Sequence, residues 1–226
     1  MDLEKLFEQW QEKYRFDAFI RDGIVDPERY EHPHILFVLR DMNCGVETDL
    51  RQHLFDHGSG WRTWNNVARW THALLDGCGD YPQHMPKERR RDLVRRIAAV
   101  NIKKEGGGSR SNAGKLSAAA EEQGDMLYSE LCLCQPELIV CCGLGSESNA
   151  ELLRKYVLPD CSDWQSFRSA RLPWDWWYYY TSINGRTIPV ISFCHPQVTN
   201  LCGKRGHEAL FKPLYEDMLT IRKMFL

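Results

Sequence analysis

The sequence predicts an α/β protein in which helices cover both faces of a central, mostly parallel four-stranded sheet, a three-layer α/β/α arrangement. Three observations carry that expectation. Continuous apolar runs of strand length, among them HILFVLR (34–40) and PELIVCCG (136–143), have the composition of strands buried on both faces. Segments of helical spacing lie between those runs, and strand alternating with helix favours parallel pairing through crossovers. At 226 residues, 43% hydrophobic and 27% charged, the chain is long enough to bury one core, so residues 1–226 are expected to form a single domain.

Taken in order, residues 2–20 read as an opening helix and 34–40 as the first strand. A polar loop, 41–60, follows. WRTWNNVARWTHALLDG (61–77) is helical, because Trp61, Trp64, Ala68 and Leu75 recur near helical spacing and Gly77 is well placed as a stop. The basic helix PKERRRDLVRR (86–96) leads into IAAVNI (97–102), a short strand that delivers Asn101. EGGGSRSNAG (105–114) is too glycine-rich for helix or strand. KLSAAAEEQGDMLYSELCLCQ (115–135) reads as one helix, 136–143 as the next strand and 146–156 as another helix. The aromatic WDWWYYYTSING (174–185) is a strand and turn, TIPVISFC (187–194) the last main strand and 205–224 the last helix.

Lys and Arg total 29 against 31 Asp and Glu, so the formal net charge of -2 gives no global attraction to a polyanion. Any nucleic acid must be met by a local patch. Nine cysteines, an odd number, sit mostly among apolar neighbours without a signal peptide, which suggests reduced thiols in a cytoplasmic protein. Cys132, Cys134, Cys141, Cys142 and eight histidines are potential ligands, but no cysteine pair has CxxC spacing and adjacent strand residues point to opposite faces. Buried, inert thiols are expected, with no metal and no cofactor. No apolar run reaches the roughly 18 residues of a membrane span, so no membrane partner is expected.

Four main strands end in loops that begin at Arg40-Asp41-Met42-Asn43, Asn101-Ile102-Lys103, Gly143-Leu144-Gly145 and His195-Pro196. Ligands in open α/β sheets bind outside the carboxyl ends of strands, so a site is sought there. Alone, a histidine after a strand is more often structural, and Asn43 before Cys44-Gly45, like Asn101, is more often part of a turn. Their joint placement at three strand ends of one sheet is what points to shared chemistry.

The same residues carry a resemblance. DMNCG (41–45) resembles the GMNPG or GINPG motif of the uracil-DNA glycosylase superfamily, in its single-strand-selective and mismatch-specific branches. HPQVTN (195–200) is similar to that superfamily's His-Pro-Ser motif, and VNIKKEGGGSRS with the helix and strand after it is similar to its Asn-x-x-Lys segment. The motifs occur in the right order between about His34 and Phe211. The resemblance implies hydrolysis of the N-glycosidic bond between a base and deoxyribose by a monofunctional enzyme working on DNA as a monomer, in base-excision repair or in defence against phage DNA. Asn43 would hold the attacking water, His195 would donate to a base carbonyl as negative charge grows, and Asn101 would read the flipped base, with Met42 beside it. An aimed donor suits an anionic leaving base. An amide can position water but cannot take its proton.

Departures from the pattern bear on the substrate. Asp41 stands where the motif has glycine, and either shapes the loop or turns a catalytic carboxylate into the site. Cys44 replaces proline, and Gln197-Val198 replace Ser-Pro. Gly45 stands where the uracil-specific branch has a bulky tyrosine, which leaves room for a uracil or a 5-substituted pyrimidine, hypermodified phage cytosines included. DNA backbone contacts are expected from Lys103, Lys104, Ser109, Arg110 and Ser111 around the glycine run and from Lys204, Arg205 and His207, with Leu201 as an apolar wedge. The alternatives are a non-catalytic DNA-binding module of the same fold, or a nucleotide-binding α/β protein using the Gly143-Gly145 loop as a phosphate site.

Overall fold

The computed structural model describes residues 2–58, 60–77, 79–107, 112–145 and 147–226. The elements in chain order are α1 (Leu3–Tyr14), β1 (Ile20–Arg21), β2 (Gly23–Ile24), β3 (Ile35–Leu39), β4 (Thr48–Asp49), α2 (Leu50–His57) and α3 (Arg62–Thr71). A π-helical turn, His72–Asp76, extends α3, and α4 (Lys87–Val94), β5 (Ala98–Asn101), α5 (Ala113–Glu122), α6 (Gly124–Cys134) and β6 (Leu138–Cys142) follow. The chain closes with α7 (Asn149–Tyr156), β7 (Gln165–Arg168), β8 (Asp175–Ile183), β9 (Arg186–Phe193), a second π-helical turn (His207–Phe211) and α8 (Lys212–Phe225).

β3, β5 and β6 are buried at every residue, as their continuous apolar runs require. They join β9 in a parallel block ordered β5-β3-β6-β9. The whole sheet is mixed and seven-stranded, β2-β5-β3-β6-β9-β8-β7, with β2, β8 and β7 antiparallel to their neighbours. This corrects the expected four-stranded, mostly parallel sheet. β2 has two residues, too few for any period, and three of the four residues of β7 are exposed, so neither carries an apolar signal. β8 joins β9 through Asn184-Gly185, both at positive φ (51° and 73°), the turn that matches the twist of a tight hairpin.

Successive residues of the parallel block face opposite cores. Phe37, Val140, Ile191 and Phe193 pack with α2, α3, α4 and α8, while Leu36, Val100, Ile139 and Val190 pack with α1, α5, α6 and α7. Three helical expectations also change. The opening helix stops at Arg15, in the left-handed conformation, and residues 20–24 turn to β structure. The expected loop 41–60 contains β4 and α2, whose N-cap Asp49 accepts from the amides of Arg51 and Gln52. The expected helix 115–135 is two, broken at Gln123-Gly124, where a Cβ on Gly124 would run into Tyr156 O. Among the described residues, no helix is long and apolar enough to cross a membrane.

Candidate active site

Leu39 pairs with Asn101, and Cys142 with Phe193, so the four parallel strands end nearly flush and their loops leave along one edge. That edge holds a cleft of about 710 Å³. Its wall takes Arg40, Asp41, Met42 and Asn43 from beyond β3, Asn101 from the end of β5, Gly143 and Leu144 from beyond β6, and His195 and Gln197 from beyond β9. Five residues expected from the sequence, Asp41, Met42, Asn43, Asn101 and His195, therefore meet in one space. Asn101 and His195 stand three strand spacings apart, roughly 14 Å, which leaves room for a flat ring held by side chains from both sides.

His195 is fixed by its loop. Its Nδ1 accepts from the Gln197 amide at 3.1 Å, and its carbonyl accepts from Val198 N at 2.9 Å. Asn66 on α3 donates to Pro196 O at 2.5 Å, and Gln197 Nε2 donates to Thr63 Oγ1 at 2.8 Å, so the loop is bolted to a helix. Burial, reinforced by the Arg40 charge and opposed by Asp41, holds the imidazole pKa below its ordinary value. A neutral ring that accepts at Nδ1 carries its proton on Nε2, so it presents one N–H donor to the cleft.

Asn101 is oriented from behind. The Asp22 Oδ2 accepts both its backbone N–H, at 2.7 Å, and its Nδ2–H, at 2.9 Å. This leaves the amide oxygen and one remaining N–H for the cleft. Asp22 belongs to a fully buried cluster in which Lys104 Nζ binds Asp22 and lies 2.6 Å from Glu130 Oε2, with the Trp10 ring 5.1 Å away. Burial alone would lower the Lys104 pKa, but the two carboxyl groups outweigh it and hold the ammonium charged. Burial, against the pull of Lys104, pushes Glu130 well above the usual carboxylate range. Lys104 is thus a correction: it is sealed in the core and cannot touch a phosphate.

The loop after β3 rests on glycines. A Cβ on Gly106 would collide with Cys44 O, and one on Gly107 with the Asp41 carboxylate. Their amides are already used, Gly106 N on Ala18 O at 2.9 Å and Gly107 N on Met42 O at 2.8 Å. The first part of the glycine run is therefore the seat of the Asp41–Asn43 loop. Gly106→Ala is expected to destabilise the fold by about 1–3 kcal/mol, read as a lower urea midpoint. Gly45→Ala, whose Cβ meets nothing within 4 Å, is the control. Equal midpoints for the two variants would sink the packing argument.

Other expected residues lie elsewhere. Gly45 is exposed and does not line the cleft. Lys103 donates to Glu105 O at 2.9 Å and pairs with Glu105 at 3.2 Å, so it holds its own loop. Leu201 is half-buried against the core in a tight turn with Lys204, while Lys204, Arg205 and His207 are exposed. Ser109, Arg110 and Ser111 lie outside the described residues. Cleft residues given no role by sequence reasoning include Arg40, placed there only as the head of a strand-end loop, and Trp61, which is 48% exposed and stacks on His53. Asn66, a buried amide within the apolar stripe of α3, was a visible signal left unused.

The eight described cysteines are free thiols, and burial pushes Cys134, Cys141 and Cys194 well above the usual thiol range. Among the described residues, one set could share a cation, His32, His34 and Glu137, at the opposite end of the sheet from the cleft, where Glu137 already binds Arg186 at 2.6 Å. No family model matches the chain, and comparisons with curated proteins and with solved structures return no match either.

Proposed function

We propose that the chain is a monofunctional DNA glycosylase of the uracil-DNA glycosylase type, with that superfamily's three-layer α/β/α plan. It hydrolyses the bond between deoxyribose and a flipped uracil or 5-substituted pyrimidine and leaves an abasic site. One observation carries this reading: a neutral histidine, locked as an Nε2–H donor, shares a cleft with the Asn43, Asp41 and Asn101 side chains at flush strand ends.

In this mechanism the electron pair of the glycosidic bond leaves with the base, whose growing negative charge is met by the Nε2–H of His195 and by the Arg40 guanidinium. Asn43 positions the water whose oxygen bonds C1′, and the Asp41 carboxylate accepts its proton. Asn101 holds the polar edge of the base. The lysines nearest the site are engaged elsewhere, Lys103 with Glu105 and Lys104 with Asp22, which fits hydrolysis without a Schiff base. Lys204 and Arg205, exposed on the loop beyond His195, supply charge for phosphates.

The test is incubation with single-stranded and duplex oligonucleotides carrying uracil, thymine mismatches or 5-modified cytosines, followed by alkaline cleavage at abasic sites. Strand scission is expected for at least one base, falling about 100-fold or more in Asn43→Ala. DNA binding without release of any base would replace this reading with a non-catalytic module.

A further inference from the structure

Beside the cleft lies a second pocket of about 370 Å³, lined by Trp164, Trp174 and Trp177 together with Ser148, Glu151 and Ser192. Leu144 forms part of the wall of both. We propose that this pocket holds a second nucleobase, the neighbour of the one in the cleft on the same strand, a role that rests on the glycosylase reading.

Trp177 is 49% exposed, whereas Trp176, next to it on β8, is fully buried. With Trp164 and Trp174 in the same lining, it gives the pocket an aromatic wall rather than one stray exposed ring. Trp164 is held rigidly, packed edge-on against Tyr179 at 4.8 Å with Arg154 over its face at 6.0 Å. The indole nitrogen of Trp174 is buried with no hydrogen-bond partner among the described residues.

Glu151 and the two serines offer acceptors at the margin, and among the described residues no Lys or Arg lines the pocket. This disfavours a phosphate. A flat, neutral ring with amino hydrogens suits three indoles with carboxylate and hydroxyl acceptors beside them, and stacking on aromatic side chains is how single strands are gripped without sequence readout. Because a base must leave its own duplex stack to enter, occupancy of this pocket favours single-stranded DNA.

The experiment is titration of the full chain with short oligo-dC strands, followed by tryptophan fluorescence, alongside base release from the best substrate. Oligo-dC is expected to quench the fluorescence. Trp177→Ala should bind the strand roughly 5- to 150-fold more weakly, the range for one lost stacking contact. An abasic analogue beside the target position should weaken the parent by the same factor and leave Trp177→Ala unaffected. Equal affinities for parent and variant would overturn the proposal, as would quenching by tetramethylammonium that oligo-dC does not displace, which would make the pocket a cage for a quaternary ammonium. The two readings fail separately. A chain that grips strands through Trp177 but releases no base keeps the pocket and loses the catalytic assignment; one that releases base equally well with an abasic neighbour keeps catalysis and loses the pocket.

Discussion

His195→Ala is expected to slow base release by about 100- to 1,000-fold, the loss of about 2.7–4 kcal/mol that accompanies removal of one donor aimed at developing negative charge. The fold should tolerate it. The ring's partner is the exposed Gln197 amide, which water can satisfy once Nδ1 is gone. His195→Gln, which retains an N–H donor, should recover part of the rate. The pH profile separates this role from proton transfer. Burial and Arg40 keep the imidazole neutral below its ordinary value of 6.5, so the rate should stay level as pH falls through that value and drop only below it. Arg40→Gln removes the cation and should move the drop to higher pH. The linked stability effect has the same sign: a histidine with a depressed pKa contributes fully above 6.5, and the contribution is lost as pH falls from there toward the folded-state pKa. A His195→Ala chain that releases base at the parent rate would remove this residue from the mechanism.

Lys104→Met is expected to cost about 3–5 kcal/mol of stability, the penalty for stripping a buried charge cluster of one partner. With total stabilities of about 5–15 kcal/mol, that is a large share of the whole. Denaturation in urea is the measurement, and pH gives the signature. Without the ammonium, Glu130 loses the charge that opposes the upward push of burial on its carboxyl group, so the variant's deficit should be small near pH 4 and should grow as pH rises. A Lys104→Met chain as stable as its parent, but with weaker and less salt-dependent DNA binding, would restore the phosphate-contact expectation.

The parallel strands were legible because they are buried on both faces, and a continuous apolar run as short as residues 34–40, bounded by polar loops, fits little besides such a strand. Elements stabilised by pairing rather than burial were not. β7 shows almost no buried residue, and α2 rests on a cap and two buried leucines, Leu50 and Leu54. The site divides the same way. Asn43, Asn101 and His195 could be placed because strand ends place them. Lys104 could not, since its partner Asp22 is 82 positions away and a chain read in order shows only a lysine beside a flexible loop. Arg40 was placed at a strand end but given no role, because after five buried residues it read as the edge of a strand rather than as a cation lining the cleft.

Asp22 never reaches the cleft, yet it decides which way the Asn101 amide faces. A base docked there would meet a carbonyl oxygen whose direction was chosen on the far side of β5. Selectivity in such a site is inherited rather than lined. Two chains with identical cleft walls but different residues at position 22 would prefer different bases, and a search for altered substrate range should begin in the core.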